Sequence, residues 1–380
     1  MEASTTGVAT SIAPGGRPTP AARARVGVVG AGYWGPKLIR NFAALPEAEL
    51  RAVCDLDRTR LQEVGEQYPD VQLTTDYAAM LAGEVDAVAI ATPVNTHYQL
   101  VKQALLAGKH AIVEKPLTAN LRQAAELVAL AEERNLMLMV GHTFLFEPAV
   151  EALRDLTRRG ELGDIWHITT RRLNLGLFRP DVNVLWDLAP HDISILLEVL
   201  GTKPTAVSAR GAAHVQPGIQ DVAYVELRFP GDVMAHVHVS WLDPGKVRRM
   251  TVVGSQKMAV YDDTEPEKLL VYDRAVVPIE TDEDEGAPDL LYRFGDATSI
   301  PLPAAEPLRR QCAYFVECVR TGARPRKYGR EGMAIVRILE QADHSMQHHG
   351  HRAELRWDDE GRYALPAHAA ASAPWEQAVG

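Results

Sequence analysis

Lys115 closes the apolar run HAIVEKP, and Pro116 after it keeps the lysine out of helical backbone. Such a run reads as a buried strand of an open parallel sheet, where ligands bind beyond the carboxyl ends of the strands. An ammonium placed there can hydrogen-bond an oxygen of a bound molecule and stabilise negative charge on it. Further along, Asp187 and His191 in WDLAPHD are four residues apart, which sets two side chains on one helical face. Pro190 belongs near a helix start, so the helix is expected to begin about there. Imidazole changes protonation near neutral pH, and a carboxylate beside it can orient the ring and stabilise its cation. Lys115, Asp187 and His191 are therefore the candidate catalytic residues. A solvated lysine, an N-capping aspartate and a helix-start histidine are the structural alternatives for the same three.

A cofactor signal precedes them. ARVGVVGAGYWG is a short apolar run entering Gly30, Gly32 and Gly35, and PKLIRNFAAL after it has helical spacing. Strand, tight turn and helix form the setting a dinucleotide-binding fingerprint requires. The first glycine allows the turn, the second lets backbone approach a pyrophosphate, and the third lets helix pack on strand. The helix start offers free N–H groups to the phosphates. Tyr33 and Trp34, inside the turn, join the candidate cofactor contacts. The next strand, AELRAVCD, ends in Asp55, where an acid can hydrogen-bond the adenosine ribose hydroxyls. A carboxylate there repels a 2′-phosphate, which favours NAD, while nearby Arg58 keeps NADP as the lesser option. Thr92, Pro93, Asn95 and His97 occupy another carboxyl-end loop within reach of the cofactor. His97 reads equally as a helix-start residue.

These residues need a scaffold. EVDAVAIATP, KHAIVEKP and LMLMVGH read as buried strands, with NTHYQLVKQALLAG and LRQAAELVALAEERN as the helices between them. That alternation predicts a doubly wound parallel sheet. After the helix FEPAVEALRDLTRRGELG the pattern changes to DIWHITTRRLN, DVAYVELRFP, VMAHVHVSWLD and RRMTVVGS. These alternate with period two and leave no room for helices, so a mainly antiparallel sheet is expected. Helices around RRQCAYFVECVRTG and GREGMAIVRILEQADHSMQHH are expected to pack back on the sheets. Arg172, Asn174, Phe178 and Arg179 form a loop that could contact substrate, and His142 and Phe144 lie near the junction of the two halves. The acidic segment 279–289 reads as a solvated loop. Residues 1–24 are read as a disordered extension, 25–143 as the dinucleotide-binding domain, 144–352 as the substrate and oligomerisation domain, and 353–380 as a tail.

Of the 380 residues 46% are hydrophobic and 24% charged, with a formal net charge of −10, which argues against a nucleic-acid partner. A local site for a small anion stays open. No stretch approaches a membrane span, and the three cysteines are too few for a disulfide framework, so a cytoplasmic protein is expected. With no HExxH and no cysteine cluster, no catalytic metal is expected.

GAGYWG, CDLD, ATPVNTH, EKP and VGH, in that order, resemble the Gfo/Idh/MocA family of oxidoreductases. The likeness runs from about Arg25 to about Gly350. It implies an α/β chain with an N-terminal Rossmann domain and a C-terminal α+β domain whose open sheet is often buried in a homodimer or homotetramer. It implies that Lys115 contacts the reacting oxygen, that Glu114 lies beside the cofactor, and that the Lys115–Pro116 bond can be cis. His191 becomes the proton acceptor and Asp187 its partner, with Ala189-Pro190 standing where relatives often carry a glycine. The implied reaction is hydride transfer between nicotinamide and a secondary alcohol or ketone, at C3 of a hexose or nucleotide-linked hexose, with Lys115, His142, Arg172, Asn174, Phe178, Asp187 and His191 around the sugar. An inositol 2-dehydrogenase is the alternative. From other classes stand an NAD-dependent glycosidase and a non-catalytic NAD-binding regulator.

Overall fold

The computed structural model describes residues 23–279, 289–323 and 329–357. Most of the acidic segment, of the N-terminal extension and of the tail therefore lies outside the described residues.

The first half alternates β1 (Ala24–Val29), α1 (Gly35–Ala44), β2 (Ala48–Cys54), α2 (Arg58–Gln67), β3 (Gln72–Thr74), α3 (Tyr77–Ala82), β4 (Ala87–Ile90), α4 (Val94–Leu106), β5 (His110–Val113), α5 (Leu121–Glu133) and β6 (Leu138–Val140). The strands form one parallel sheet in the order β3-β2-β1-β4-β5-β6. Strands covered on both faces must be apolar throughout, and β4 is buried at every position. Short polar side chains start several helices. Asp57, Asp76 and Asn120 accept the backbone N–H groups of Thr59, Ala79 and Gln123 at 2.9, 3.0 and 3.0 Å. The order reverses between β1 and β4, so the loops after β1, β4, β5 and β6 surround one crevice.

The second half begins with α6 (Pro148–Arg158), β7 (Ile165–Leu173) and α7 (Val184–Leu200). There follow β8 (Ala206–Ala212), β9 (Val222–Arg228), β10 (Met234–Ser240), β11 (Val247–Gly254), β12 (Met258–Asp262), β13 (Leu269–Ile279) and β14 (Asp289–Ser299). α8 (Pro307–Thr321), α9 (Gly329–Gln347) and β15 (Ala353–Glu354) end the described chain. The strands make a nine-stranded sheet, β14-β13-β12-β11-β7-β10-β9-β8-β15. It is antiparallel except where β7 runs parallel to β10, so the sheet is mixed at its centre. Order also continues past residue 352: β15 pairs with β8, and the Trp357 indole donates to the Pro204 carbonyl at 2.7 Å. α7 and α9 cover one face of this sheet, while α8 packs on α1 and α9 on α5. Buried residues from both halves form one continuous core.

Candidate functional site

The turn after β1 can hold only glycine at two places. Gly30 has φ +90°, and a Cβ there would lie 2.8 Å from the Ala91 carbonyl oxygen. A Cβ on Gly35 would lie 2.0 Å from the Gly30 carbonyl oxygen, so α1 starts in contact with the strand end. Asp55, at the end of β2, accepts the Ala31 N–H at 2.6 Å and the Asp57 N–H at 2.8 Å. Each oxygen keeps a second lone pair, so the carboxylate can also accept from ribose hydroxyls. The nearby cation is Arg60, whose Nη1 is 3.9 Å from Asp55 and whose Nε is 3.4 Å from Asp57. Arg58, the expected neighbour of Asp55, is exposed at the start of α2, two residues before Arg60. Tyr33 is exposed, Trp34 lines the cleft, and Lys37 Nζ lies 3.9 and 4.0 Å over their two rings. The glycine cradle and the acid beside it fit a dinucleotide.

His97 departs from the expected cofactor contact. Its ring is buried, with Nδ1 2.9 Å from the Pro116 carbonyl oxygen and Nε2 2.9 Å from that of Thr92. The ring sits between the two carbonyls, donates its one N–H to one of them, and so ties the loop after β4 to the loop after β5. Thr92 bonds Thr96 at 2.7 Å, and Asn95 is exposed on the first turn of α4.

The EKP segment leaves β5 at the crevice with a cis Lys115–Pro116 bond. Burial pushes the Glu114 carboxyl up to about 7, against the opposing pull of Lys115 and Lys37. Gly141, after β6, leaves room for it, since a Cβ there would stand 3.3 Å from Glu114 Oε2. Lys115 Nζ donates to the Asp187 carbonyl at 2.6 Å and lies 3.3 Å from the Asp187 carboxylate. Only 11% of the lysine side chain and 19% of the aspartate side chain is exposed, so water screens the pair weakly.

α7 starts earlier than Pro190 implies. Asn183 caps it, accepting the Trp186 N–H at 3.2 Å, and Pro190 is the seventh helical residue. The proline has no N–H for the Trp186 carbonyl, yet tertiary packing holds the helix through it. The second correction concerns Asp187 and His191. Asp187 Oδ2 accepts the Trp241 indole N–H at 3.1 Å and Oδ1 faces Lys115, so the carboxylate orients the lysine. No hydrogen bond joins it to His191, whose Nδ1 is buried and has no hydrogen-bond partner among the described residues. The His191 ring packs edge-on against Phe144, with centroids 5.0 Å apart, and borders the cleft. Burial, then the charges of Lys115 and Arg172, hold its pKa well below 6.5.

The remaining expected residues gather round this point. Arg172 forms a buried ion pair with Asp192 at 2.6 Å and stacks 4.4 Å over the Phe144 ring. Asn174 lines the cleft, and Phe178 packs on Trp241 with centroids 5.4 Å apart. His142 is buried two residues beyond the end of β6, on the same side of the cleft as Glu114. The cleft encloses about 420 Å³ between the two halves.

The chain matches the model of the oxidoreductase family with an NAD-binding Rossmann fold (GFO/IDH/MocA) over residues 24–142. It matches the GFO/IDH/MocA C-terminal domain over residues 150–260. The chain belongs to the GFO/IDH/MocA oxidoreductase family. UDP-N-acetylglucosamine 3-dehydrogenase from Acidithiobacillus ferrooxidans is 32% identical over 63% of this chain and 74% of its own. A solved structure of that enzyme has a TM-score of 0.72 at 26% identity, covering 86% of this chain and 98% of the other. Myo-inositol 2-dehydrogenase from Thermotoga maritima is 26% identical over 82% of this chain and 93% of its own.

In this member of the GFO/IDH/MocA family, three residues at the site escaped sequence reasoning: Trp241, Arg248 and Arg60. Trp241 stood inside a strand pattern, SWLD, and its one polar atom meets a partner 54 residues away. The one hint was a large buried aromatic with an N–H that needs an acceptor.

Proposed function

We propose that the protein is an NAD-dependent dehydrogenase moving a hydride between nicotinamide and a secondary alcohol of a sugar, at C3 of a hexose or nucleotide-linked hexose. The observation that carries this reading is the clustering of Lys115, Asp187 and His191 at the carboxyl end of β5, beside a glycine cradle suited to a dinucleotide. When bound, the cofactor supplies the hydride chemistry. The turn at Gly30, Gly32 and Gly35 would hold its phosphates, and Asp55 its adenosine ribose. Asp55 already accepts two backbone N–H groups and would meet a 2′-phosphate with its own negative charge, which supports NAD over NADP.

In the oxidation direction, neutral His191 takes the hydroxyl proton; its lowered pKa keeps the ring unprotonated and available at neutral pH. Lys115 donates to the same oxygen and stabilises the charge developing on it. Asp187, fixed by the Trp241 indole, keeps Lys115 aimed into the site. Ketone reduction runs the same groups backwards, with the imidazolium returning its proton.

The domain division at about residue 143 is part of the proposal, as is self-association through the outer face of the second sheet. Exposed Trp166, Tyr224, Tyr292 and Phe294 support the latter. The three thiols are free and buried, which suits the cytoplasm.

The test is near-ultraviolet absorbance of reduced nicotinamide, with NAD or NADP and a panel of nucleotide sugars, free sugars and inositols. A rate with one hexose class supports the proposal. A rate with inositols alone moves the assignment to an inositol dehydrogenase, as the Thermotoga relative suggests. Bond cleavage without net reduced cofactor marks a glycosidase, and NAD binding without any turnover marks a regulator.

A further inference from the structure

The wall of the cleft that faces the catalytic cluster is cationic, in a chain whose net charge is −10. Arg172 on β7 and Arg248 on β11 stand directly opposite one another across two hydrogen-bonded strands. Side chains at such positions share a face, and like charges there repel. Both lie near the Phe144 ring, Arg172 at 4.4 Å and Arg248 at 5.6 Å from its centroid, and the same ring meets His191 edge-on. The two guanidinium groups are thus one aromatic ring away from the proposed base.

Carboxylates offset this charge incompletely. Asp192 is devoted to Arg172. Asp263 is shared by Arg248 and Lys268, each at 3.0 Å, and Glu147 meets Lys268 at 3.3 Å. Lys246, two residues before Arg248, also lines the cleft and has no ion pair among the described residues. Lys246, Arg248 and Lys268 therefore face two carboxylates, and one positive charge is left over. The carboxylates are withdrawn, with 12% of the Asp263 side chain and 7% of the Glu147 side chain exposed, whereas Arg248 and Lys268 keep 35% and 31%. Cations are at the surface of the cleft and their counter-charges behind it.

We propose that this wall is an anion subsite, and that the substrate carries a negatively charged substituent, a phosphate ester or a carboxylate, which Arg248 and Lys246 bind while the carbinol sits at Lys115 and His191. The inference rests on the dehydrogenase reading and narrows it, because inositols and free hexoses have no charge for the subsite to meet. Arg248 supplies planar N–H donors suited to paired oxygens, and Lys246 supplies a mobile point charge.

Two measurements on the full-length, NAD-loaded protein test this. The first is kcat/KM for a nucleotide sugar, a sugar 1-phosphate and a uronic acid, each against its neutral sugar, in wild type, Arg248→Gln and Lys246→Gln. A lost charge-assisted hydrogen bond lowers the anionic-to-neutral ratio about tenfold to a hundredfold for Arg248→Gln. Lys246→Gln, at an exposed residue that holds no structural pair, lowers it less and reduces its salt dependence. The substrate whose ratio falls most tells phosphate from carboxylate. The second is calorimetric binding of inorganic pyrophosphate and of glucuronate, with the cofactor site already filled. Binding weakened in both variants is the expected result, and it stands as evidence for the subsite even if no substrate turns over and the dehydrogenase reading fails. Turnover of neutral sugars only, with no anion bound and ratios unmoved in both variants, overturns the subsite and leaves the dehydrogenase intact.

Discussion

His191 shows how surroundings decide what a side chain does. Its spacing from Asp187 suggests a carboxylate-oriented base, but that carboxylate is taken by Lys115 and Trp241. What remains is an imidazole among cations, with a pKa well below 6.5. It is neutral, and able to accept a proton, at every pH above that lowered value. We therefore expect the acid limb of kcat/KM for alcohol oxidation to lie below pH 6.5, and an initial-rate pH profile that rises only above neutrality contradicts it. Glu114 is shifted the other way. Its carboxyl stands near 7 when folded and 4.5 when unexposed to the fold, so the folded state holds the proton more tightly. That contribution to stability is complete below pH 4.5 and is lost as the pH rises through about 7. Glu114→Gln in the cofactor-free protein should match wild type in Tm in acid and exceed it in alkali. A Tm gap that is constant with pH argues against a buried carboxyl there.

Elements were legible in the sequence where one residue type admits one backbone. Gly30 is such a place, and so is the apolar run ending in Glu114 and Lys115. Gly30→Ala forces a side chain into positive φ and onto the Ala91 carbonyl, so NAD affinity should fall at least about tenfold by fluorescence titration. Unchanged affinity would mean that the turn does not hold the cofactor. Elsewhere the local signal was silent. Period-two alternation tells which residues of β7 and β10 face inward, yet it carries no information on direction, and the two pair in parallel. Pro190 pointed to a helix start because a proline inside a helix loses a hydrogen bond. Asn183 caps the helix seven residues earlier, and a buried apolar face outweighs that loss. Trp241, Arg248 and the Pro116 carbonyl beside His97 are brought to their partners by the chain's return from a distance, which no short window of sequence contains.

At the scale of the molecule, the site exists because two sheets are fastened along one cleft. Glu306, before α8, pairs with Arg40 and bonds Asn41 on α1. Glu340 on α9 accepts the Leu121 N–H of α5 at 3.2 Å, and a Cβ on Gly332 would lie 2.4 Å from Val140, so α9 is pressed onto β6. Lys115 comes from one half and Asp187, His191 and Trp241 from the other. The measurement that tests the account most directly is therefore made on Lys115→Ala, with turnover and NAD affinity taken on the same preparation. The lysine bonds Asp187 across the cleft and does not form the glycine turn or hold Asp55. Turnover should fall by about a hundredfold to a thousandfold with NAD affinity nearly intact. Equal loss of both, or turnover preserved, would contradict a catalytic lysine at the centre of this site.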